Sequence, residues 1–155
     1  MDDIATPRLA VVADVAVSVG KPVEVGETPH GLRRIVPILA GTVSGPRLNG
    51  RILPGGADYQ HWHADGFSEV HARYLIETDA GALVYVENTG VRHGSAETMA
   101  RLAQGLPVEP AAIYFRSVPR FETAAPELAW MGRALFLASG ARYPDRVAIR
   151  FYEVL

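Results

Sequence analysis

Asp58 is the carboxylate in this sequence best placed to do chemistry. It follows Gly55 and Gly56, whose backbones can adopt conformations closed to other residues, so it could be held in a tight corner. A carboxylate held in an apolar cavity has a raised pKa and can act as a general base near neutral pH. The alternative is a structural role, in which Asp58 accepts hydrogen bonds from the backbone of its own loop.

A second group of candidates lies on one predicted strand, residues 70–78. Because side chains alternate along a strand, His71, Arg73 and Glu77 share one face. Either this polar face is exposed to solvent and the opposite face is core, or the polar face lines a cavity. In a cavity, Arg73 would hold an anionic oxygen, and His71 or Asp58 would move the proton.

Four further side chains complete the cavity hypothesis. Tyr85, on the strand predicted to pair with residues 70–78, could donate a hydrogen bond to the same oxygen, while Arg34, Glu77 and Trp130 are candidate ligand-binding residues. A tryptophan such as Trp130 is more often part of the core or of a cavity wall than a stacking site. The set would suit cofactor-free hydrolysis, isomerisation or lyase chemistry on a small oxygenated ring or acid, because such chemistry needs only proton transfer and electrostatic stabilisation.

His61 and His63 raise a metal-binding alternative. They lie two residues apart on one predicted strand, so both imidazoles share a face, and their spacing from Gly55 copies the opening of a cupin metal motif. Three residues could supply a third ligand: Asp65, Glu69 and His71. Because only two ligands are visibly aligned, we expect no metal and no other cofactor, and keep a cupin-like metal enzyme as an alternative.

Short strands separated by turn residues predict an all-β fold. Eight strands are predicted: 9–19, 33–39, 59–63, 70–78, 82–87, 113–118, 134–138 and 146–154. A single helix, 95–104, is predicted to begin at a Ser95 cap and to cover the sheet. Gly41 and Gly45 permit the bending that a closed sheet needs, so we expect a calycin-like antiparallel β-barrel with one short helix, and a β-sandwich as the alternative. The barrel cavity and its mouth are the expected site.

Composition narrows the function classes. The chain has 155 residues, a formal charge of −2 and no cysteine, which excludes thiolate and disulfide chemistry. We expect one domain over residues 1–155, a cytoplasmic location, no membrane-spanning segment, no nucleic-acid partner and a homo-oligomer. Lys21 is the one lysine among fifteen cations. The excess of arginine reflects either GC-rich coding or planar recognition of carboxylate or phenolate groups.

A series of short motifs carries a family resemblance. They are Pro37-Ile38, Gly41-Thr42, Gly45-Pro46, Gly55-Gly56-Ala57-Asp58, Asp65-Gly66, Ala72-Arg73-Tyr74 and Gly81-Ala82-Leu83. In these motifs the chain resembles the DUF3237 family, also called UPF0311, of small all-β bacterial and fungal proteins, and the region around Trp130 extends the resemblance over nearly the whole chain. The resemblance implies a barrel fold and supplies no reaction. His71 stands where the family commonly has aspartate, so it either replaces that group as a base or marks a different activity.

Three functions therefore stay open at this level. The first is a cofactor-independent enzyme that uses Asp58, His71, Arg73 and Tyr85 on a small organic molecule, anionic or cyclic and oxygenated. The second is a non-catalytic, lipocalin-like binding protein in which the same residues only orient the guest. The third is the cupin-like metal enzyme.

Overall fold

The computed structural model describes residues 4–155, which form ten strands, one α-helix and two 3-10 helices. The strands are β1 (Leu9–Val19), β2 (Val23–Thr28), β3 (Gly31–Ser44), β4 (Gly50–Ile52), β5 (Gly56–Trp62), β6 (Ser68–Thr78), β7 (Leu83–Gly94), β8 (Ile113–Thr123), β9 (Phe136–Arg142) and β10 (Val147–Val154). Helix α1 spans Ala96–Ala103, and the 3-10 helices span Pro110–Ala112 and Pro126–Gly132. No helix within these residues is long and apolar enough to cross a membrane.

Eight antiparallel strands close into a barrel. The ring runs β1, β10, β9, β8, β7, β6, β5 and β3, and it closes because β1 pairs with both β10 and β3. The two remaining strands are additions: β2 forms a hairpin with β3, and β4 pairs with β3 and β6. The predicted all-β barrel with one short helix is thus confirmed, and the β-sandwich alternative is wrong. Strand β2 had no counterpart in the sequence prediction.

The long strand β3 pairs with β1, β2, β4 and β5, and it has a glycine where it passes close to β1. A Cβ atom at Gly41 would lie 2.6 Å from the backbone oxygen of Ala16 and 2.8 Å from a side-chain carbon of Ile52. Real Cβ atoms do not approach other atoms so closely, so a larger residue would push the strands apart. The glycine in this strand pattern therefore permits close approach of backbones.

One end of the barrel is filled by apolar side chains, and we call it the closed end. The rings of Phe136 and Phe151 meet the Phe121 ring edge to face, at centroid distances of 4.9 and 5.3 Å. Met131, from the 3-10 helix Pro126–Gly132, is buried in the same cluster. At the opposite end, Leu102 of α1 packs into a second apolar cluster. The space between the two clusters remains open.

Gly140 of β9 makes room for the Phe115 ring in the wall of that space. A Cβ atom at Gly140 would overlap ring carbons Cδ1 and Cε1 of Phe115. Because the ring would have to move, we expect Gly140→Ala to lower the free energy of unfolding by about 1–3 kcal/mol in chemical denaturation. Gly132→Ala is the matched control, since a Cβ there would meet no atom within 4 Å. An equal loss in both variants would contradict this explanation.

Candidate functional site

The open space is a largely apolar cavity of about 320 Å³. Its volume falls at the lower end of the range of about 300–1,000 Å³ that is usual for small-molecule sites. The end of α1, the loop between β1 and β2, and the β9–β10 hairpin surround its mouth. Polar side chains from five strands face this cavity, among them Arg34, Asp58, Tyr74, Asn88, Arg92 and Arg142.

Strand register explains why polar side chains point inward. Asp58 of β5 lies opposite Ala72 of β6, and Ala72 lies opposite Asn88 of β7, so the three form one row across the inner wall. Four residues further along β7, Arg92 faces inward in the same phase and lies opposite Ser68. Because the side chain of Ala72 is a single methyl group, it leaves space between Asp58 and Asn88.

The Asp58 carboxylate is held by hydrogen bonds on both oxygens. Gln60 Nε2 donates to Oδ2 at 2.6 Å, and the backbone N–H of His71 donates to Oδ1 at 2.9 Å. The orientation of Gln60 is fixed in turn, because Trp62 Nε1 donates to Gln60 Oε1 at 2.9 Å and an indole N–H can only donate. The amide nitrogen of Gln60 must therefore face Asp58, which makes Gln60 a positioning residue.

Burial is the largest cause of the pKa shifts of Asp58, Tyr74 and Arg92 in the cavity. It raises the pKa of Asp58 above its usual value, although Arg92, the Gln60 hydrogen bond and the His71 N–H each lower it. Burial also raises the pKa of Tyr74, which stays a neutral phenol, and lowers the pKa of Arg92 to about 10, so this guanidinium remains charged at neutral pH. Among these three groups, Asp58 is the one whose pKa burial moves from the acid range toward neutral pH.

We expect the stability of the folded protein to fall as pH rises past the usual pKa of an aspartate, because of Asp58. The folded state keeps its proton at pH values where the unfolded chain has released it, so this contribution is fully present below the unfolded pKa and is lost as pH rises through the raised folded pKa. Asp58→Asn should remove that component from the free energy of unfolding measured across pH. Asp79→Asn, at an exposed turn, is the control, and an unchanged slope in Asp58→Asn would contradict the assignment.

Unpaired polar atoms gather at the cavity. Among residues 4–155, five buried side-chain nitrogen or oxygen atoms have no hydrogen-bond partner in the protein, and four belong to lining residues: Arg34 Nε, Tyr74 Oη, Asn88 Oδ1 and Arg92 Nε. Arg34 Nε lies 3.4 Å from Glu24 Oε1, an ion pair without hydrogen-bond geometry. Because buried polar groups are nearly always hydrogen-bonded, the described side chains leave the bonding of this cluster incomplete.

Two of the sequence candidates, Asp58 and Arg34, line the cavity together. Arg34 also reaches α1, because its Nη1 donates to the backbone oxygen of Ala103 at 3.3 Å. Its guanidinium carbon lies 5.6 Å from the centroid of the Trp62 ring, and that of Arg92 lies 5.2 Å from the same ring. Trp62 therefore lies beside both buried cations.

The structure corrects the prediction for His71 and Arg73, whose side chains lie on the outer surface. Because Tyr74 is buried inside the barrel, its neighbours along β6 must point out. His71 Nε2 donates to Glu87 Oε1 at 2.9 Å, which lowers the pKa of Glu87, and Arg73 Nη2 lies 3.7 Å from the same oxygen. Of the two arrangements that the sequence left open for this strand, solvent exposure of the polar face is the one observed.

Three other candidates also lie away from the cavity. Tyr85 lies opposite Leu75 on the outer face of the β6–β7 pair, and Glu77 forms an ion pair with Arg51. Trp130 belongs to the closed end, where its ring packs near Phe136 and under the Arg47 guanidinium. Glu77, Trp130 and Tyr85 therefore do not line the cavity with Asp58, which corrects their predicted placement.

The two histidines of the metal alternative lie outside the barrel. Trp62 points inward, so His61 and His63 on either side of it point outward. His63 Nε2 donates to Glu69 Oε2 at 2.9 Å, and burial lowers the pKa of His61. Within residues 4–155, no three side chains of the metal-binding types come together. The cupin-like alternative lacks the convergent third ligand that it requires.

Sequence reasoning missed most of the inner polar wall. Asn88 and Arg92 fell outside the predicted strand 82–87, yet β7 continues to Gly94. A usable signal was present, because both residues are in phase with Val84 and Val86, which are fully buried. Extending the predicted strand 82–87 by five residues, to Arg92, would have placed both side chains inside.

Comparison with known proteins is consistent with this architecture. The model of a family described as protein of unknown function (DUF3237) matches residues 7–154. A UPF0311 protein of Rhodopseudomonas palustris is 45% identical over 152 residues, which cover 97% of this chain and 99% of that protein. The crystal structure of a conserved protein of unknown function from the same organism covers 98% of this chain and 100% of its own, with a TM-score of 0.94 and 43% identity.

Two further solved structures share the fold. A β-barrel-like protein from Acinetobacter baumannii is 38% identical with a TM-score of 0.88, and both chains are covered completely. A protein described as an enzyme from Penicillium herquei has a TM-score of 0.73 at 15% identity, over 98% of this chain and 97% of that one. The second likeness shows the fold alone.

Proposed function

The chain belongs to the DUF3237 family, and on that premise we propose that its function resides in the barrel cavity, where it binds a small organic molecule with an anionic or hydrogen-bond-accepting oxygen group. Asp58 is the acid or base that acts on this guest. The chemistry is cofactor-independent proton transfer, as in an isomerase, lyase or hydrolase.

The unpaired polar atoms carry this proposal. Two of the four at the cavity are guanidinium donors, the Nε atoms of Arg34 and Arg92, and Arg34 Nε also forms the ion pair with Glu24. The Tyr74 hydroxyl can donate or accept, and Asn88 Oδ1 accepts, so a guest with acceptor oxygens suits the donors of this group. The charges of the lining residues also favour an anionic guest, because Arg34, Arg92 and Arg142 face the cavity together with a single carboxylate. Its apolar walls suit the carbon skeleton of a small ring.

Asp58 supports the catalytic part of the proposal. A raised pKa brings a carboxylate closer to the pH at which it can both accept and release a proton. The hydrogen bonds from Gln60 and the His71 backbone hold its oxygens in one orientation, which is the kind of fixed geometry that proton transfer needs. If a bound guest is not turned over, the same residues serve a binding protein.

Binding can be tested with tryptophan fluorescence. Trp130→Phe leaves Trp62, in the cavity wall, as the one indole in the chain. We expect a saturable fluorescence change on titration with benzoate, because its carboxylate would lie near the two guanidinium groups that flank Trp62. Benzamide, of the same shape without the charge, should bind more weakly. No response to benzoate, or an equal response to both compounds, would contradict the proposal.

Native mass spectrometry of the purified protein offers a second approach, because it reports a co-purified guest and the assembly state together. We expect the Ala72→Leu variant to lose any such guest, since the larger side chain would occupy the cavity beside Asp58.

A further inference from the structure

When it is ionised, the Asp58 carboxylate places a negative charge in the same small cavity as any anionic guest. It is the one carboxylate among the described residues that line this space, and the walls around it are mostly apolar. Two like charges at short range in such a medium repel each other, so an anion is bound more strongly when Asp58 is protonated than when it is ionised. This step rests on the proposed function, because it assumes that the guest lies in the cavity.

Among the titratable groups around the cavity, Asp58 is the one whose protonation removes that repulsion. The titratable side chains that face the cavity from the other elements are Lys21 in the β1–β2 loop, Arg34 on β3, Tyr74 on β6, Arg92 on β7 and Arg142 on β9. The four cations already favour an anion in their charged form, and Tyr74 is already neutral. The imidazole of His71 is outside the barrel, so this residue reaches Asp58 only through its backbone N–H.

Asp58 has room to accept the proton. Each carboxylate oxygen accepts one hydrogen bond from the protein, and a carboxylate oxygen can accept two, so one position on each oxygen remains. No ion pair within 4.0 Å ties Asp58 to an arginine in the described part of the chain. Its proton acceptor position is therefore not taken by a cation.

We propose that the natural guest is a weak oxygen acid of the phenol or enol type, which is bound as its conjugate base while its proton resides on Asp58. On binding, the O–H bond of the guest breaks and its electron pair stays on the guest oxygen. The proton forms a new O–H bond with the Asp58 carboxylate, so no proton is exchanged with solvent. The resulting oxyanion is held by the unpaired donors, Arg92 Nε and the Tyr74 hydroxyl.

The proposal fixes the pH dependence of two probes. Benzoate arrives already ionised, so Asp58 must take its proton from solvent, and the affinity for benzoate should fall about tenfold per pH unit above the pKa of Asp58 in the free protein. 4-Nitrophenol brings its own proton, so its affinity should not change with pH between the pKa of Asp58 in the free protein and the pKa of the phenol; below the pKa of Asp58, where that carboxyl is already protonated, its affinity should fall as pH falls. Once bound, it should show the absorption band of the phenolate at a pH where the free compound is colourless.

The experiment measures both affinities by calorimetry from about pH 5 to about pH 8, in two buffers of different ionisation enthalpy, with absorption spectra of the bound phenol. In Asp58→Asn the pattern should reverse: the affinity for benzoate no longer changes with pH, and below the pKa of 4-nitrophenol its affinity rises about tenfold per pH unit, because its proton now goes to solvent. The pH dependence of the two affinities in the wild-type protein tests the proposal even if this variant does not fold.

The outcomes separate the two proposals. Benzoate binding with no proton uptake anywhere in this range, or 4-nitrophenol bound in its colourless form, would overturn this inference and leave cavity binding intact. Binding of neither probe in the cavity, with no response from Trp62, would overturn the proposed function and this inference with it.

Discussion

Replacement of Arg92 by methionine is expected to weaken benzoate binding about a hundredfold, because truncation of a buried charged hydrogen-bonding partner costs about 2–5 kcal/mol. Arg92 is 4% exposed, and Ser68 Oγ, at 3.2 Å from Nη2, is its one side-chain hydrogen-bond acceptor among the described residues. Most of the donor capacity of this guanidinium therefore remains for a guest. Methionine keeps the length and the apolar contacts of the side chain and removes its charge.

The matched control for this prediction is Arg73→Met. The Arg73 side chain is 52% exposed on the outer surface of the neighbouring strand, so the same substitution there should leave benzoate affinity unchanged. Both variants would be titrated in the Trp130→Phe background and checked for folding by circular dichroism. Equal weakening in the two variants would indicate a general effect of net charge, and the cavity site would then lose its support.

Ala72→Leu should abolish detectable benzoate binding in a protein that still folds. Ala72 lies between Asp58 and Asn88 in the same row of the inner wall, so the added carbons extend into the cavity. Because the space is open, the larger side chain fills a void and need not displace packed neighbours, and we expect no decrease in the melting temperature. Fluorescence titration and thermal unfolding measure the two effects separately.

Ala100→Leu is the corresponding control, since Ala100 is exposed on α1 and leucine is a good helix former. It should bind benzoate as the parent does. Parental affinity in Ala72→Leu would mean that the guest binds elsewhere on the protein, for example against the outer face where His71 and Arg73 lie.

Local patterns in the sequence were sufficient to predict the barrel. Alternating strands and glycines within them indicated a closed antiparallel sheet, and the Ser95 cap indicated the start of the helix, where its Oγ accepts a hydrogen bond from the backbone of Thr98. These features are determined by a few neighbouring residues. Strand β2 was missed because it is short, largely exposed and interrupted by Gly26, whose φ is 107°.

The inner wall was harder to predict, because alternation defines two faces of a strand without saying which one is inside. On β6, one face carries His71 and Arg73 and the other carries Tyr74. The sequence allowed either face to be the inner one, and the closed barrel buries the face with Tyr74. Arg34 and Arg92 are both buried, although arginine is usually exposed, so hydrophobic patterning gives no direct sign of them. Asp58, which lines the cavity, was a candidate from the sequence because the two glycines before it were a local signal.

A crystal structure of the protein with benzoate tests the central claim most directly, which is that the barrel cavity holds an oxygen anion against its buried donors. We expect the carboxylate to lie within hydrogen-bonding distance of Arg92 Nε or the Tyr74 hydroxyl, with the ring against the apolar wall near Ala72. Benzoate found only on the outer surface, with ordered water alone in the cavity, would contradict the account.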